Sequence, residues 1–466
     1  MFEINRIIDT DSYKASHFLQ YPPNTTRAFF YLESRGSERD YTQTVFFGLQ
    51  YLLKRYFVER FTQTMVEEAR EVITAHGLPF NYNGWTRLVE KHGGRLPLRV
   101  RAVAEGSVVP LKNVLMTVET TDDEFFWLGS WFETQMMRVW YPSTVATQSF
   151  YIKQDVYRFL QETADEPDAE IAFKVHDFGS RGVSSQETAA IGGAAHLVNF
   201  SGTDTMAALV LHRDFYNSPM AGFSIPAAEH STVTSWGRDH EAESYRNMLR
   251  QFAKPNATVA VVSDSWDIYN AVEKIWGEQL RQEVVDSGAT VVIRPDSGEP
   301  VEVVSRVARI LGEKFGATVN SKGYKVLKNV RIIQGDGVNQ DSIKAILERL
   351  KSQGFSASNV AFGIGGSLLQ KINRDTLRFA YKCSAIVAGG NLVEVYKQPI
   401  TDAGKNSKKG RLDLVFKNGN YETVKLESAD EAAAENSQLR TVFEDGEILI
   451  DDGLDAIRKR AAEKIA

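Results

Sequence analysis

Short apolar runs followed by polar clusters recur along the chain from about Phe173. Thr258 to Val262 and Val330 to Ile333 are two such runs, and a helical stretch follows each polar cluster. An apolar, β-branched run, a polar turn and a helix in that order are typical of βα units. The clusters recur roughly seven times, and no G-x-G-x-x-G turn is present. The pattern therefore favours an α/β barrel with its chemistry at the carboxyl ends of the strands.

More strands of this kind are predicted before other polar clusters. They cover Ile171 to Val175, Thr290 to Ile293 and Val360 to Phe362. Shorter apolar runs precede Gly202 and the segment Ser224 to Pro226. Proline is favoured in the first turn of a helix, so a helix or a turn is expected to open at Pro226.

The two ends of the chain have a different pattern. Residues 1–150 and 390–466 mix helical and strand patterns without the βα repeat. We expect them to form one additional α+β domain built from both chain ends, beside a barrel domain of residues 151–389. The elements predicted in it are a strand over Arg27 to Leu32, a helix near Val45 to Phe57, strands between Leu98 and Val118, a hairpin over Leu412 to Leu426 around Asn418-Gly419, and a helix over Leu454 to Ile465.

The composition is that of a globular protein with a surplus of acidic groups. Apolar residues make up 43% and charged residues 24% of the 466 residues, which allows a sizeable core. The net charge of −6 argues against nucleic acid or an anionic membrane as a partner, because both require basic surfaces. Cys383 is the single cysteine, and no apolar run approaches the ~18 residues of a membrane helix. The expected compartment is the cytoplasm.

Strand-end clusters combine charge with backbone freedom. Arg181 lies in the cluster His176 to Gly182, beside a predicted helix start, where a guanidinium and the helix dipole both favour phosphate. A polar turn without a ligand is the alternative for that cluster. Asp296 in the segment Arg294 to Gly298 suits a sugar hydroxyl. Gly335-Asp336-Gly337 suits the same role, and for both segments an Asp-Gly or similar turn without a ligand stays open.

Gly365 and Gly366 precede a probable helix. Backbone N–H groups in such a loop cradle a phosphate monoester, and Arg374, Lys382 and Lys405 downstream could supply its counter-charge. Because glycine-rich loops are common, this motif alone is a weak signal.

His230 follows the short strand that ends near Pro226. A hydrogen-bonded structural histidine is its commoner role. A carboxylate such as Glu229 or Asp264 would instead hold its tautomer and raise its basicity. The eight histidines show no H-E-x-x-H or comparable spacing, so protein-bound zinc is not expected.

Taken together, these segments resemble the nicotinamide phosphoribosyltransferases, and the resemblance spans nearly the whole chain. Agreement in order over many long segments is more specific than any single motif. The segments that carry it are Asp11 to Lys14, Gln20 to Asn24, Val45 to Tyr51, His176 to Asp204, Pro226 to Ser231, Val261 to Tyr269, Ile293 to Gly298, Gln334 to Val338, Leu368 to Arg374 and Ser407 to Leu412.

The resemblance implies a fold, an assembly and a reaction. The fold is an irregular α/β barrel with an additional α/β domain, and the assembly is a homodimer with active sites at the subunit interface. The reaction joins nicotinamide to phosphoribosyl pyrophosphate. The implied roles are Arg181, His230 and Arg294 at the pyrophosphate, helped by Arg35 and Lys397; Asp296, Gly335 and Asp336 at the ribose; Gly365, Gly366 and Arg374, with Lys382 across the interface, at the 5′-phosphate; and Phe178 with the partner's Tyr13 around the pyridine ring.

Members of this family also phosphorylate the matching histidine from ATP, which couples ATP hydrolysis to synthesis. The resemblance therefore implies ATP as a co-substrate, Mg²⁺ that accompanies phosphoribosyl pyrophosphate and ATP, and no tightly bound protein-ligated metal. His230 is the expected phosphohistidine, with Glu229 beside it and Asp264 available to orient its ring.

Asp204 favours an amide over an acid as the second substrate. The related alternative is nicotinate phosphoribosyltransferase, whose substrate is an anion. A carboxylate accepts a hydrogen bond from a carboxamide NH₂ but repels another carboxylate. The acid-using relatives resemble the segment Gly202 to Asp204 and tend to carry a neutral residue there. A helix cap is the structural alternative for Asp204.

Two positions depart from vertebrate-like members: Ile364 stands where a small residue is usual, and Ala260 where a serine lies near the amide.

A sugar-phosphate lyase or isomerase would need a Schiff-base lysine or a metal-ligand cluster at strand ends, and the sequence offers neither. A non-catalytic binding or signalling protein is the alternative of another class. An enzyme is favoured by the retained set Arg181, Asp204, His230, Arg294, Asp296, Asp336 and Arg374.

Overall fold

A computed structural model describes residues 4–401, 405–428 and 433–465 of the chain. Within these ranges no helix is long and apolar enough to cross a membrane. The strands are β1 (Thr25–Ser34), β2 (Gln43–Val45), β3 (Leu98–Ala102), β4 (Val108–Pro110), β5 (Val114–Thr120), β6 (Val175–Asp177), β7 (Gly202–Thr203), β8 (Thr258–Val262), β9 (Thr290–Arg294), β10 (Ala317–Val319), β11 (Lys325–Leu327), β12 (Val330–Gln334), β13 (Val360–Ile364), β14 (Phe379–Ala388), β15 (Asn391–Glu394), β16 (Leu412–Lys417), β17 (Asn420–Lys425), β18 (Arg440–Glu444) and β19 (Glu447–Ile448).

Helices surround both main sheets. The α-helices are α1 (Leu49–Tyr56), α2 (Gln63–Ala75), α3 (Tyr82–His92), α4 (Leu128–Trp131), α5 (Glu133–Met137), α6 (Trp140–Thr163), α7 (Pro167–Glu170), α8 (Gln186–His196), α9 (Met206–Phe215), α10 (His230–Thr234), α11 (Glu241–Phe252), α12 (Ile268–Asn270), which continues as the π-helix Ala271–Gln279, α13 (Arg281–Ser287), α14 (Pro300–Phe315), α15 (Gln340–Ser352), α16 (Gly366–Leu369) and α17 (Leu454–Ala462). The 3-10 segments are Ser12–Leu19, Asp123–Phe125, Ile171–Phe173, Ser180–Gly182, Arg238–His240, Ala357–Asn359 and Arg374–Thr376.

Parallel strands form most of a barrel, in the order β7-β6-β13-β12-β9-β8. The segment 223–227 lies between the two edge strands. Single parallel bridges join Phe223 to Gly202 and Ala227 to Ala260. Backbone hydrogen bonds of 2.8 to 3.1 Å accompany both bridges. The predicted α/β class is confirmed, and its irregularity lies in this one short closing segment.

Apolar side chains from different strands meet inside the barrel. Neighbouring residues on the same strands, such as Val291 and Ile293, point to the surrounding helices and are buried as well. Because both faces are covered, these strands are continuous apolar runs, and the sequence located β8, β9, β12 and β13 to within two residues. The inner cluster consists of Ala260, Val292 and Ile333, with Phe178, Ile225 and Ala361 packed against it.

The second main sheet has seven strands in the order β15-β14-β1-β5-β3-β18-β19 and draws on both ends of the chain. Its antiparallel pairing of β3 with β18 joins residues 98–102 to residues 440–444. The chain returns to this sheet at Phe379, before the domain boundary predicted after residue 389, and α6 runs through the boundary predicted at residue 150.

Some predicted elements are placed differently. The strand predicted over Ile171 to Val175 is wrong, because Ile171–Phe173 is a 3-10 turn and β6 covers Val175–Asp177. No helix opens at Pro226. Its carbonyl oxygen accepts a hydrogen bond from the backbone N–H of Ala260 at 2.9 Å, so this stretch is engaged in barrel closure.

Gly48 sets the start of α1. The sequence predicts a helix near Val45 to Phe57, but Val45 belongs to β2 and the helix covers Leu49–Tyr56. The φ of Gly48 is 101°, and a Cβ at this position would lie 2.3 Å from Cγ of Pro142. Glycine alone meets both conditions without strain, so the helix begins after it.

Glu105 is a buried carboxyl at the junction between α1 and the C-terminal segment. Its Oε1 accepts a hydrogen bond from the backbone N–H of Gln50 at 2.7 Å. The Gln50 side chain accepts one from the backbone N–H of Asp452 at 2.8 Å, and Arg460 donates to the Glu105 carbonyl at 2.7 Å. Burial raises the pKa of Glu105 to about 7. This contact between distant parts of the chain is therefore sensitive to pH.

Replacing Glu105 by Gln should stabilise the fold increasingly as pH rises. Since the pKa in the folded state lies above the ordinary value of 4.5, the wild-type carboxyl contributes stability that is lost as pH rises from about 5 through 7. The amide keeps the acceptor for Gln50 and does not titrate. Its free energy of unfolding should exceed that of the wild type by up to about 3 kcal/mol near pH 9 and match it near pH 5. Urea unfolding at both pH values measures this, and parallel pH profiles would contradict it.

Candidate active site at the barrel rim

The carboxyl ends of the barrel strands meet at one rim, and predicted site residues follow them. Parallel pairing from β7 to β8 places these ends side by side. His230 reaches the same rim from the closing segment 223–227. The other residues at or just after the strand ends are Phe178 and Arg181 (β6), Asp204 (β7), Asp264 (β8), Arg294 and Asp296 (β9), Gly335 and Asp336 (β12), and Gly365 and Gly366 (β13).

Asp264 holds the imidazole of His230. Its Oδ1 lies 2.9 Å from Nε2 of His230. Its Oδ2 accepts hydrogen bonds from the backbone N–H of Asp296 at 3.1 Å and from the Ser297 hydroxyl at 2.6 Å. The Asp264 side chain is only 4% exposed, whereas the histidine is 44% exposed. With Nε2 bonded to a fixed carboxylate, Nδ1 is the ring nitrogen left to face a ligand.

Glu229 has a different task. It stands before the first residue of α10, where its backbone N–H donates to the Thr232 hydroxyl at 3.2 Å and its carboxylate accepts from the Ser231 hydroxyl. Both contacts belong to the start of the helix. Of the two carboxylates that the sequence left open as partners of His230, the geometry therefore selects Asp264.

Arg294 and Asp296 face each other at the end of β9. A guanidinium nitrogen of Arg294 lies 3.6 Å from Oδ2 of Asp296, which is also 3.9 Å from Nδ1 of His230. Burial raises the pKa of Asp296, and the charges of Asp264 and Asp336 add to the increase while Arg294 and His230 oppose it. Within the described residues, Nε of Arg294 is buried without a hydrogen-bond partner.

The Phe178 ring lies across two glycines. A Cβ on Gly363 would be 1.9 Å from its Cε2 atom, and a Cβ on Gly335 would be 3.4 Å from the same atom and from Oδ1 of Asp296. The backbone N–H of Phe178 donates to the Ile364 carbonyl at 2.9 Å. The ring is thus a flat apolar surface next to the carboxylates, suited to stacking against an aromatic ligand.

The glycine loop and the Arg181 turn adjoin each other. A Cβ on Gly182 would lie 3.4 Å from Cα of Gly366, whereas a Cβ on Gly366 would meet nothing within 4 Å. The loop is held from below, because the Ser367 hydroxyl donates to the Val338 carbonyl at 2.7 Å. Arg181, next to Gly182, is exposed. This combination suits a phosphate group.

Asp204 is exposed at the end of β7. Its Oδ1 accepts a hydrogen bond from the Ser224 hydroxyl at 2.7 Å, and its backbone N–H donates to the Asp177 carbonyl at 2.9 Å. One carboxylate oxygen is therefore fixed by the closing segment. The other is free of any side-chain contact in the described residues and can accept from a ligand N–H.

Some predicted residues lie outside the barrel: Lys382 is on β14 of the seven-stranded sheet, Arg35 directly follows β1, and Tyr13 is in the 3-10 segment Ser12–Leu19. Arg35 donates to Glu33 at 3.1 Å, and the Tyr13 side chain is 57% exposed. Burial lowers the pKa of Lys382, and the nearby positive charges of Arg35, Lys397 and Lys14 lower it further against the opposing charge of Glu133. This basic group makes no hydrogen bond or ion pair with the barrel rim among the described residues.

Arg374 makes no hydrogen bond or ion pair with the glycine loop among the described residues. It is 56% exposed at the start of a 3-10 turn, where it pairs with the adjacent Asp375 at 3.4 Å. The sequence did not indicate Ser224 or Ser297 as site residues, although both lie in segments that were expected to contribute to the site. No spacing rule shows that their hydroxyls turn toward Asp204 and Asp264.

Family models match both parts of the chain. The model of the nicotinate phosphoribosyltransferase (NAPRTase) family matches residues 173–447, which include the barrel rim. The model of the nicotinamide phosphoribosyltransferase N-terminal domain matches residues 5–100.

Full-length relatives agree with these models. A protein named nicotinamide phosphoribosyltransferase from Xanthomonas campestris pv. campestris is 56% identical over 98% of this chain and 98% of its own length. A protein of the same name from Acinetobacter baylyi is 31% identical over 100% of this chain and 98% of its own length.

Solved structures show the same fold at low identity. The crystal structure of nicotinate-nucleotide pyrophosphorylase from Pyrococcus furiosus aligns with a TM-score of 0.62 at 15% identity and covers 100% of this chain and 97% of its own. The crystal structure of human nicotinic acid phosphoribosyltransferase aligns with a TM-score of 0.56 at 17% identity, over 98% of this chain and 93% of its own.

Proposed function

This chain belongs to the nicotinate phosphoribosyltransferase family, and we propose that it is a nicotinamide phosphoribosyltransferase. This pentosyltransferase joins nicotinamide to phosphoribosyl pyrophosphate and releases nicotinamide mononucleotide and pyrophosphate, a step of NAD salvage. The observation that carries the proposal is the arrangement of one rim. Asp204 and the Phe178 platform follow the paired strands β7 and β6, and Asp296 lies near both Arg294 and His230. We place the enzyme in the cytoplasm, in keeping with its single cysteine.

The rim supplies what departure of pyrophosphate requires. Bond breaking leaves positive charge on the ribose and negative charge on the leaving group. Arg181, Arg294 and His230 stabilise the negative charge. Asp296 and Asp336 accept hydrogen bonds from the ribose hydroxyls and stabilise the positive charge.

The two ends of the substrate pair have separate sites. The 5′-phosphate binds the backbone N–H groups of Gly365 and Gly366, with Arg374 as an additional charge. The pyridine ring stacks on Phe178. Asp204 accepts a hydrogen bond from the carboxamide NH₂, because Ser224 fixes its other oxygen at 2.7 Å. Nicotinate, with its own carboxylate, is repelled at this position.

ATP is the coupled co-substrate in this proposal. Its γ-phosphoryl group passes to Nδ1 of His230, ADP leaves, and water later hydrolyses the phosphohistidine. Support comes from Asp264, which occupies Nε2 at 2.9 Å and leaves Nδ1 open. Mg²⁺ enters with phosphoribosyl pyrophosphate and ATP. The described residues contain no group of three or more His, Cys, Asp or Glu side chains that could hold a metal ion.

A homodimer with shared sites accounts for the residues that stand apart from the rim. Lys382 lies on β14 of the seven-stranded sheet, Arg35 directly follows β1, and Lys397 comes after β15. Tyr13 is exposed on the 3-10 segment Ser12–Leu19. An open cleft of about 1290 Å³ is lined by the N-terminal segment, α1, α8 and α9, and it reaches Leu369, three residues after Gly366. In the proposed dimer the partner's Tyr13 covers the second face of the pyridine ring, and the partner's Lys382 reaches the 5′-phosphate.

Product analysis with phosphoribosyl pyrophosphate and Mg²⁺ tests the activity and the choice of substrate. The wild type should convert nicotinamide far faster than nicotinate. Asp204→Ser should lower kcat/KM for nicotinamide by about 10- to 100-fold and narrow the preference over nicotinate, since one hydrogen bond and one repulsive charge are lost. Asp286→Ser, at an exposed carboxylate on α13, is the matched control and should change neither. Equal wild-type turnover of both substrates would overturn the assignment.

His230→Ala should lower ATP hydrolysis by at least about 100-fold, because the phosphoryl acceptor is removed. His240→Ala, at an exposed histidine in a 3-10 turn, should keep wild-type hydrolysis. Release of ADP is measured with and without nicotinamide and phosphoribosyl pyrophosphate. Unchanged hydrolysis by His230→Ala would rule out the phosphohistidine.

Mixing two inactive variants tests the shared sites. Tyr13→Ala and Phe178→Ala should each lower nicotinamide turnover strongly when pure. After subunit exchange, random pairing gives half mixed dimers with one intact site each, so the mixture should recover about a quarter of wild-type activity. Each variant exchanged with itself serves as the control. No recovery after demonstrated exchange would mean that Tyr13 acts within its own chain or not at all.

A further inference from the structure

Asp177 is a buried carboxylate to which the proposed reaction gives no task. It ends β6, between Ile364 of β13 and Thr203 of β7, and its side chain is fully buried. Its Oδ1 accepts a hydrogen bond from the backbone N–H of Gly179 at 2.7 Å. Its carbonyl oxygen accepts one from the backbone N–H of Asp204 at 2.9 Å. Gly179 immediately precedes the turn that carries Arg181, and Asp204 is itself a residue of the rim.

The side chain points away from the barrel interior and toward the helices. A Cβ on Gly193 of α8 would lie 2.9 Å from its Oδ2 atom, so the glycine leaves the room that the carboxylate occupies. Thr205 is adjacent, yet neither Oδ2 of Asp177 nor the Thr205 hydroxyl has a partner with hydrogen-bond geometry in the described part of the chain. One oxygen of the carboxylate is therefore engaged and the other is poorly satisfied.

This arrangement costs stability at neutral pH. Burial raises the pKa of Asp177 to about 6, Asp204 adds to the increase, and the hydrogen bond from the backbone N–H of Gly179 and the neighbouring Thr205 hydroxyl oppose it. Tyr141 on α6 is the other titratable group that faces it, and its own pKa is raised by burial and by Asp177. Above pH 6 the chain thus carries a buried charge that an asparagine of the same shape would avoid.

The Gly179 contact extends to the phosphate loop. A Cβ on Gly179 would lie 2.8 Å from the Leu369 side chain of α16 and 3.0 Å from Oδ1 of Asp177. Gly179 is therefore held between the carboxylate and the helix that follows Gly365, and the turn Ser180–Gly182 with Arg181 begins next to it. A hydrogen bond to an ionised acceptor is stronger than one to an amide. The charge of Asp177 therefore strengthens the hydrogen bond from the backbone N–H of Gly179.

We propose that Asp177 is a positioning residue for phosphoribosyl transfer, whose carboxylate fixes the turn that carries Arg181 and whose backbone fixes Asp204. One residue thereby sets the distance between the pyrophosphate end and the carboxamide end of the site. The proposal rests on the proposed function for the identity of the two ligands. It adds a residue that touches neither of them.

Asp177→Asn and Asp177→Ala test it, with Glu105→Gln as the matched control, a second buried carboxyl whose pKa is raised by burial. The dissociation constant of inorganic pyrophosphate, measured calorimetrically, reports on the Arg181 end. The KM for nicotinamide reports on the Asp204 end. Thermal unfolding midpoints between pH 4 and 8 report on the buried charge.

Asp177→Asn should unfold at a higher temperature than the wild type at pH 8, and this difference should shrink as pH falls toward 4, because the folded wild-type carboxyl is then protonated and no longer a buried charge. Despite its higher stability, it should bind pyrophosphate about 3- to 10-fold more weakly and raise the KM for nicotinamide by a similar factor. Asp177→Ala should lose about 10- to 100-fold in both. Glu105→Gln should gain stability at pH 8 and change neither binding constant.

The proposal would be overturned if Asp177→Asn had the same dissociation constant for pyrophosphate and the same KM for nicotinamide as the wild type. It would also be overturned if the losses of pyrophosphate binding and nicotinamide turnover in Asp177→Ala were fully explained by its smaller folded fraction. If Asp177→Ala fails to fold, the more stable Asp177→Asn decides alone. Failure of the wild type to form nicotinamide mononucleotide would refute the proposed function separately, because pyrophosphate binding and the pH dependence of unfolding do not require that product.

Discussion

Closure of the barrel by residues 223–227 is the constraint on which the site depends. The segment is held by a single bridge on each side, yet it serves both ends of the rim. Ser224 near its start fixes Asp204, and the chain that leaves its end delivers His230 to Asp264. A longer strand in this place would pair more strongly. The short segment instead leaves room for two polar contacts that no ladder of backbone hydrogen bonds would supply.

The sequence predicted what depends on local pattern. Strands covered on both faces are continuous apolar runs, and their polar ends fall at one rim, so Asp296 and Gly365 were found from the residues alone. The direction of individual side chains could not be predicted from the sequence. Glu229 is adjacent to His230 in the chain but turns into its own helix, while the distant Asp264 holds the imidazole. Register between distant strands also has no local signal, which is why the place of Lys382 beside β1 could not be derived.

The rim is built for a ligand rather than for stability. The charges of Asp264 and Asp336, together with burial, raise the pKa of Asp296, and a buried N–H of Arg294 is left unpaired in the described residues. Groups arranged in this way favour a ligand that carries negative phosphates and bound cations together. Because such a ligand binds only the folded chain, occupancy and resistance to unfolding should rise together.

The seven-stranded sheet has a consequence for synthesis of the chain. β3 at residues 98–102 pairs with β18 at residues 440–444, so its edge stays open until residues 440–444 have left the ribosome. The barrel strands between residues 175 and 364 emerge earlier and can pair with one another first. A nascent chain therefore carries an exposed apolar strand edge for most of its translation time. Chaperone demand, rather than final stability, is then expected to limit its yield in a foreign host.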